Sequence, residues 1–358
     1  MEMKREYYED IRYFKKKWVM VVAMIFLLFL FTLPLYFKGY ALLIINLIMV
    51  YAIVCVGLNI LVGYTGQFSI GHAGFFAVGA YAMVLLMTLL HLPFILALVI
   101  SGLIAAFFGF LLGLPALRLK GPYLAIATLG FGMTIMHIIG SIDLFGGRLG
   151  LKAPPLDIGF AQLGFSWILS TDVQKFYLIL IITIIMVLAA RNMMKARTGR
   201  AFVAIRDDDI AAEVNGVNLL IYKTLSFAIS AFYAGIAGAL FCFVLGFIEP
   251  FQFNVLLSII FLVMIIVGGL GSIMGSIVGA ALITFLQYSL LKNVSEMPVF
   301  GEWLVAVSQK WFTVIGLENF NNMVLAVIIA LILIFEPMGI NGIWLRFKKY
   351  CLTWPFKG

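Results

Sequence analysis

The chain has 358 residues, of which 64% are hydrophobic and only 11% are charged, and its mean hydropathy is +1.13. Soluble domains carry about 25% charged residues, so a water-soluble fold of this length could not cover its surface with so few charges. The net charge of +8 does not indicate nucleic-acid binding, because the basic residues lie between apolar stretches, where they determine membrane topology. The composition therefore predicts an integral membrane protein.

Ten apolar stretches could cross a bilayer, whose hydrocarbon core of about 30 Å needs about 20 residues of α-helix. No Lys, Arg, Asp or Glu occurs in any of them. The stretches are Trp18–Phe37, Tyr40–Val62, Ile70–Leu90, Pro93–Leu117, Gly121–Gly140, Phe176–Ala190, Leu225–Ile248, Phe251–Gly268, Ile273–Leu291 and Phe320–Phe335. Phe176–Ala190 and Phe320–Phe335 are short, so tilt or snorkelling of Lys175 and Arg191 is expected. The sequence thus predicts an all-α bundle of about ten transmembrane helices in one domain over residues 18–340.

The distribution of Lys and Arg predicts the orientation of these helices. Of the 24 Lys and Arg residues, 18 fall on one side of the ten predicted crossings and 6 on the other. The side rich in Lys and Arg comprises 1–17, 118–120, 191–224 and 341–358. Because cytoplasmic loops carry the excess of Lys and Arg, both termini and the 191–224 loop are predicted to be cytoplasmic. The loops 141–173 and 292–319 are then on the outer side.

The sequence lacks the residue patterns of a chemical active site. It contains neither a G-x-x-x-x-G-K-S/T loop for ATP phosphates nor an H-E-x-x-H metal motif. The predicted helices contain His72 and His137 but no carboxylate, whereas proton-coupled transporters usually need ionisable groups within the membrane. Cys55, Cys242 and Cys351 are far apart, which argues against disulfides and a metal cluster. We therefore expect no catalytic residue, cofactor or metal, and any energy for transport must come from outside the chain.

The predicted cytoplasmic loop contains a segment suited to a short helix that begins at Arg206. Its candidate residues are Arg206, Asp207, Asp208, Asp209, Ala211, Ala212, Glu213 and Gly216. The acids lie toward the positive end of the helix dipole, and Gly216 is expected to end the helix with a positive φ. Such a helix could transmit force to a soluble partner. The alternative is a solvated loop whose charges only fix the topology.

A glycine-rich segment containing polar residues follows the second apolar stretch. Its glycines, Gly63, Gly66, Gly71, Gly74 and Gly79, would allow close helix approach or expose backbone dipoles to a substrate in a water-filled cavity. The candidate residues for a translocation pathway are Tyr64, Gln67, Ser69, His72 and Thr128. Helix packing is the alternative role for the glycines, and an interhelical hydrogen bond is the alternative role for His72.

The cytoplasmic loop and the helix after it carry a specific resemblance. Residues 199–240 read GRAFVAIRDDDIAAEVNGVNLLIYKTLSFAISAFYAGIAGAL and closely resemble the corresponding part of branched-chain amino-acid ABC transporter permeases of the LivM type. Four further segments are similar to the same family. They read GLNILVGYTGQFSIGHAGFFAVGAYAM (57–83), GLPALRLKGPYLAIATLGFG (113–132), GFIEPFQFNVLLSIIFLVMIIVGGLGSIMGSIVGAAL (246–282) and EPMGI (336–340).

The resemblance implies a fold, a function and a set of partners. The fold is that of a vitamin-B12-permease-like type II importer with ten helices, in the cell (inner) membrane. The implied partners are a homologous second permease, two ATP-binding-cassette ATPases and an extracytoplasmic substrate-binding protein. The loop would contain the coupling helix that docks on an ATPase, with Ile210 where importers usually have Glu. The implied function is import of branched-chain or other small neutral amino acids by a chain that is not itself an enzyme.

Other functions are compatible with a similar set of helices. An importer permease of this type could carry another small solute, such as urea or an amide. A passive small-solute channel would need no ATPase, and the cytoplasmic loop disfavours it. A membrane-embedded enzyme is disfavoured by the absence of clustered His, Cys or intramembrane carboxylates in the sequence.

The predicted topology can be tested by chemical labelling. Single cysteines introduced at Lys152 and Thr198 should react with membrane-impermeant thiol reagents from opposite sides of the membrane, because the two positions belong to loops on opposite sides. Labelling of both from the same side would overturn the arrangement of ten crossings.

Overall fold

The computed structural model describes residues 28–119, 121–157, 169, 171–290, 326, 327, 330, 334, 336, 339–342 and 346. The predicted segments 1–17 and 292–319 lie outside the described residues. Parts of the predicted helices Trp18–Phe37 and Phe320–Phe335, and most of the 341–358 tail, lie outside them as well.

Ten α-helices are labelled here between residues 40 and 290. They are α1 (Tyr40–Asn59), α2 (His72–Thr88), α3 (Phe94–Gly113), α4 (Pro122–Ser141), α5 (Asp172–Lys195), α6 (Arg197–Asp207), α7 (Asp209–Val214), α8 (Leu219–Leu245), α9 (Val255–Gly268) and α10 (Ile273–Phe285). Helices α1 and α10 continue as the π-helical turns Ile60–Tyr64 and Leu286–Leu290. Two short strands are β1 (Leu151–Lys152) and β2 (Phe247–Ile248). Residues 28–36 are also helical.

Five of these helices are long and apolar enough to cross a membrane. They are α1 with its π-helical turn, α3, α4, α5 and α8, and three shorter apolar helices are α2, α9 and α10. All eight overlap predicted apolar stretches, so the predicted all-α membrane bundle is confirmed, and the protein is a multi-pass membrane protein. The total of ten crossings stays a prediction, because the first and last stretches lie partly outside the described residues.

The bounds predicted for two helices are wrong, since α8 begins at Leu219 and not at the predicted Leu225, and α5 differs at both ends. The sequence predicted a short span over Phe176–Ala190, whereas α5 runs over 24 residues from Asp172 to Lys195. The backbone N–H of Thr171 donates to Oε1 of Gln174 (3.3 Å), a capping interaction that starts the helix before its apolar residues. Because charged side chains near helix ends extend to the polar interface, α5 includes them and needs no extra tilt to cross.

Helix α8 is the centre of the bundle and packs against α1, α2 and α3. Small residues let these helices approach closely. A Cβ on Gly238 would collide with the backbone carbonyl of Phe76 in α2, and one on Gly79 would collide with the backbone of Gly235 in α8. In the most apolar parts of α1 and α8, 72% of the residues are buried, whereas the share is 33% or less in α3, α4 and α5. The core therefore lies along α1 and α8.

The segment 141–157 is fixed to the end of α8 that lies opposite the 191–224 loop. Strands β1 and β2 pair antiparallel, with Leu151 opposite Ile248. The backbone N–H of Ala153 also donates to the carbonyl of Gly246 (3.0 Å), just beyond α8. These hydrogen bonds give this part of the predicted outer loop a defined position on the bundle.

The close contact between α2 and α8 can be tested by adding side-chain volume. Gly238→Val should lower stability by about 1–3 kcal/mol, because the added methyl groups overpack a backbone contact. Gly130→Val is a matched control, since Gly130 also lies in a helix but has open space around its Cβ position. The measurement is the midpoint of thermal unfolding in detergent. Equal midpoints for the two variants would contradict the close packing.

Candidate functional site

The 191–224 loop folds into two helices, and the predicted start of the second is wrong. A helix was expected to begin at Arg206, but Arg206 and Asp207 end α6, and α7 begins at Asp209. Asp208 separates the two helices with an extended backbone (φ −162°, ψ 116°). Its Oδ1 accepts hydrogen bonds from the backbone N–H groups of Ile210 (2.8 Å) and Ala211 (3.0 Å). A carboxylate that satisfies the first N–H groups stabilises a helix start, which is why the chain breaks at this residue.

The predicted end of this helix is confirmed at Gly216. Gly216 has φ +84°, and its N–H donates to the carbonyl of Glu213 (2.9 Å). The N–H of Val217 donates to the carbonyl of Ala212 (3.0 Å). This pair of hydrogen bonds defines a Schellman motif, in which glycine takes the left-handed conformation at low cost. Helix α7 therefore has a fixed length and a fixed exit direction.

One side of α7 is apolar and uncovered in the described structure. Ile210 and Val214 are 71% and 83% exposed, and residues four apart lie on the same face of a helix. Ala211 and Glu213 are exposed as well, whereas Ala212 is buried against the rest of the chain. Large apolar side chains that are exposed together mark surfaces that bind a partner.

An ion pair fixes α7 to the central helix α8. The Nζ of Lys223 lies 2.7 Å from Oδ2 of Asp209, and Lys223 is only 7% exposed. A buried ammonium is stabilised only when it is paired, so this contact holds the start of α7 against the start of α8. Sequence reasoning included Asp209 but missed Lys223. The sequence feature that could have indicated Lys223 is an isolated Lys immediately before a long apolar stretch.

One nitrogen of the Arg206 guanidinium reaches the bundle, while 40% of the side chain stays exposed. Its Nη1 donates to the backbone carbonyl of Gly63 (3.1 Å), in the π-helical turn that ends α1. The other guanidinium nitrogens contact Oδ1 of Asp207 at 3.0 and 3.2 Å. The side chain also packs against Gly66. Because the last carbonyls of a helix have no partner within it, an Arg at this position satisfies one of them.

Asn59 joins the same end of α1 to the turn between α9 and α10. Its Nδ2 donates to Oγ of Ser276 (2.6 Å) and to the carbonyl of Ser272 (2.9 Å). Its Oδ1 accepts from the N–H of Gly271 (2.9 Å). Sequence reasoning missed Asn59, although a fully buried amide in a long apolar stretch needs partners. Gly63, Asn59 and the α9–α10 turn thus form one connected unit with Arg206.

The structure brings together three of the five candidate pathway residues, Ser69, His72 and Thr128, at the break between α1 and α2. Ser69 Oγ lies 3.0 Å from Nδ1 of His72, and Nε2 of His72 lies 2.6 Å from Oγ of Ser230 in α8. The N–H of Ile70 donates to Oγ1 of Thr128 in α4 (3.0 Å). These contacts match the interhelical hydrogen-bond alternative for His72.

Two of the candidate pathway residues are not fully used in these contacts. Gln67 donates from Nε2 to Oγ of Ser226 (3.3 Å), but its buried Oε1 has no hydrogen-bond partner among the described residues. Tyr64, in the π-helical turn, is only partly buried. Gln67 therefore keeps an unused acceptor at the loop end of α1, whereas Tyr64 has a hydrogen-bond partner in the backbone of Ile273.

Comparison with known proteins identifies the class of this membrane protein. Residues 40–335 match the family described as branched-chain amino acid transport system / permease component. The match covers most of the chain, which therefore belongs to this family.

Individual relatives lie in the same family. The chain is 34% identical to the high-affinity branched-chain amino acid transport system permease protein LivM of Escherichia coli strain K12, over 70% of this chain and 63% of the relative. Identity to LivM of Salmonella typhimurium is 33%, over 71% of this chain and 66% of the relative. Identity to LivH of Escherichia coli strain K12 is 24%, over 82% of this chain and 91% of the relative. The chain thus spans less than two thirds of the length of the two LivM relatives, and no solved structure matches it.

The ion pair between α7 and α8 yields a testable prediction. Asp209→Asn should leave the Lys223 ammonium buried without its carboxylate and weaken the attachment of α7 by about 2 kcal/mol. Amide hydrogen exchange in residues 209–214 should then speed up by about thirtyfold, if exchange proceeds by local opening. Glu213→Gln is the matched control, because Glu213 is exposed on the same helix. Equal exchange in the two variants would show that the ion pair does not hold the helix.

Proposed function

We propose that this chain is the permease subunit of an ATP-binding-cassette importer for branched-chain or other small neutral amino acids. Its helices form part of the translocation pathway, and an extracytoplasmic binding protein delivers the substrate. The observation that carries this proposal is α7, a capped helix with an apolar exposed face, in a loop rich in Lys and Arg. Membership of the permease family supports the same function.

The proposed docking element is α7 with its two ends. Ile210 and Val214 supply an apolar contact surface, while the Asp208 cap and Gly216 set the length and direction of the helix. A docking helix must be rigid relative to the membrane helices if it is to transmit force. The Asp209–Lys223 ion pair supplies that rigidity, because it joins α7 to the central helix α8.

Arg206 has an internal role in this proposal. Its guanidinium donates to the Gly63 carbonyl and pairs with Asp207, both within this chain, while 40% of the side chain stays exposed. Displacement of the loop would therefore act on the end of α1 through Arg206. From there it would reach the α9–α10 turn through Asn59. We assign Tyr64 and Gln67 to the pathway at this end, and Ser69, His72 and Thr128 to holding the break between α1 and α2.

The proposed complex contains partner subunits that supply ATP hydrolysis and complete the pathway. The chain has no phosphate-binding loop, so ATP hydrolysis belongs to two partner ATPases. A homologous second permease completes the pathway. We place both termini and the 191–224 loop in the cytoplasm, with residues 18–340 as one transmembrane domain in the inner membrane. The chain itself needs no cofactor.

Dependence on partner subunits tests the importer proposal directly. The chain reconstituted alone in liposomes should not accumulate leucine, whereas the complex with permease partner, ATPases and binding protein should accumulate it when ATP is supplied. Measured uptake that is equally fast without ATPases would favour the passive channel. Uptake of urea in preference to leucine would favour the importer of another solute.

The docking role of α7 is tested by changing its exit and its exposed face. Gly216→Val should cost about 1 kcal/mol or more through its positive φ and should reduce ATPase co-purification and uptake. Ile210→Glu should do the same by placing a charge on the apolar contact.

The control for these variants is Gly121→Val. Gly121 also has a positive φ (+56°) and open space at its Cβ position, but it lies before α4 and outside α7. It should keep ATPase association and most of the uptake. Full uptake by both α7 variants would falsify the docking assignment.

A further inference from the structure

A cavity of about 300 Å³ lies between α1, α5 and α8, at the end of the bundle opposite the 191–224 loop. Tyr40, Leu43 and Asn46 of α1, Asp172 and Lys175 of α5, and Val244 of α8 line it. Small-molecule sites in proteins begin at about this volume. The cavity adjoins the ends of α1 and α8, the two most buried long helices among the described residues.

Two opposite charges face this cavity. Asp172 and Lys175 lie three residues apart in the first turn of α5, a spacing that places side chains on the same face of a helix. No ion pair joins them, and neither forms one with any other residue that the structure describes. Asp172 is exposed and Lys175 is half-buried, so the carboxylate and the ammonium beside the cavity are both accessible to a ligand that carries the two complementary charges.

A buried amide in the cavity wall also lacks a partner. Asn46 is 4% exposed, and its Oδ1 accepts no hydrogen bond within the described part of the chain. A buried polar atom without a partner is costly, and most such atoms in native structures are satisfied by protein, water or ligand. The carbonyl oxygen of Asn46 is an acceptor, so it suits a donor such as an ammonium group.

We propose that this cavity binds a free α-amino acid in its zwitterionic form. Lys175 binds the ligand carboxylate, Asp172 and the Oδ1 of Asn46 bind its ammonium group, and Leu43 and Val244 contact its apolar side chain. Tyr40 forms the remaining wall, and its hydroxyl donates to the carbonyl of Tyr288 (2.8 Å). The inference rests on the proposed function and deepens it, because it places a substrate site at the end of the bundle opposite the docking helix.

The two charges beside the cavity would also distinguish an amino acid from an uncharged solute. Urea and neutral amides carry neither charge, so binding them would leave both Asp172 and Lys175 unpaired. A site built for specific polar groups strongly rejects analogues that lack them. A phospholipid headgroup that carries an ammonium group is also zwitterionic. The test below distinguishes it from a free amino acid by changing the lipid of the nanodisc.

The test is protection of a cysteine placed in the cavity wall. Val244→Cys is introduced into the full complex, with Cys351 replaced by Ser, in nanodiscs and without the binding protein. Cys55 and Cys242 are buried, so the new thiol is the main target of a polar thiol reagent. Millimolar leucine should slow its labelling, while isoamylamine and 4-methylpentanoate, which each retain one of the two charges, should not.

Variants that remove one charge then test whether protection by leucine depends on Lys175 and Asp172. Lys175→Gln and Asp172→Asn should each weaken protection by leucine by about tenfold or more, the loss expected for one charge-assisted hydrogen bond. Lys152→Gln and Asp143→Asn, which remove the same charges from residues that do not line the cavity, should leave protection unchanged. Leu43→Cys repeats the measurement from the opposite wall and replaces Val244→Cys if that variant is not stably inserted.

Three results would overturn the proposal. These are no protection by leucine at either cysteine, equal protection by an analogue with a single charge, or protection that survives both charge-removing variants. Labelling that changes between phosphatidylethanolamine and phosphatidylglycerol nanodiscs but not with leucine would assign the cavity to lipid instead. ATP-driven uptake by the unmodified complex is measured separately, so failure of this site is distinguishable from failure of the importer function.

Discussion

The amide of Asn59 holds together the end of the bundle that faces the 191–224 loop. It is fully buried, so its donors and its acceptor need partners within the chain, and the α9–α10 turn and Ser276 at the start of α10 supply them. Gly63 fits beside it only because it has no side chain, since a Cβ would collide with Oδ1 of Asn59 and the backbone N–H of Gly271. The end of α1, the π-helical turn and the α9–α10 turn are therefore positioned as one unit.

The 191–224 loop is attached to this unit and to the central helix by two different cations. Arg206 reaches the carbonyl of Gly63, and Lys223 reaches the carboxylate of Asp209. Arg206 thus attaches α6 to the end of α1, and Asp209 attaches α7 to α8. A partner that pulls or pushes on α7 would then act on α1 and α8, the helices that are most buried and that contact most of the others. This arrangement gives a physical basis for the proposed coupling.

The polar residues at the two ends of the bundle differ, although the Oε1 of Gln67 near the 191–224 loop is also unsatisfied among the described residues. Near the 191–224 loop, the buried Asn59, His72 and Lys223 have partners within the chain, as expected for groups that fix helices in place. At the other end, Asp172 and Lys175 form no ion pair among the described residues, and the Oδ1 of Asn46 is unsatisfied. Satisfied polar groups stabilise the fold, whereas unsatisfied groups beside a cavity are free to bind a ligand.

The sequence by itself determined the all-α membrane class, the positions of eight apolar helices and the positive φ at Gly216, because hydropathy and glycine preference act over a few adjacent residues. It did not determine the start of α5, where a cap and charged ends extend the helix beyond its apolar part. Only the tertiary structure decided that Arg206 faces Gly63, that Asp209 pairs with Lys223, and that Asn59 binds the α9–α10 turn. The partners of Arg206 and Asn59 lie 143 and 213 positions away. Many donors and acceptors along the chain could satisfy each of these groups, and only the packing of the helices selects one.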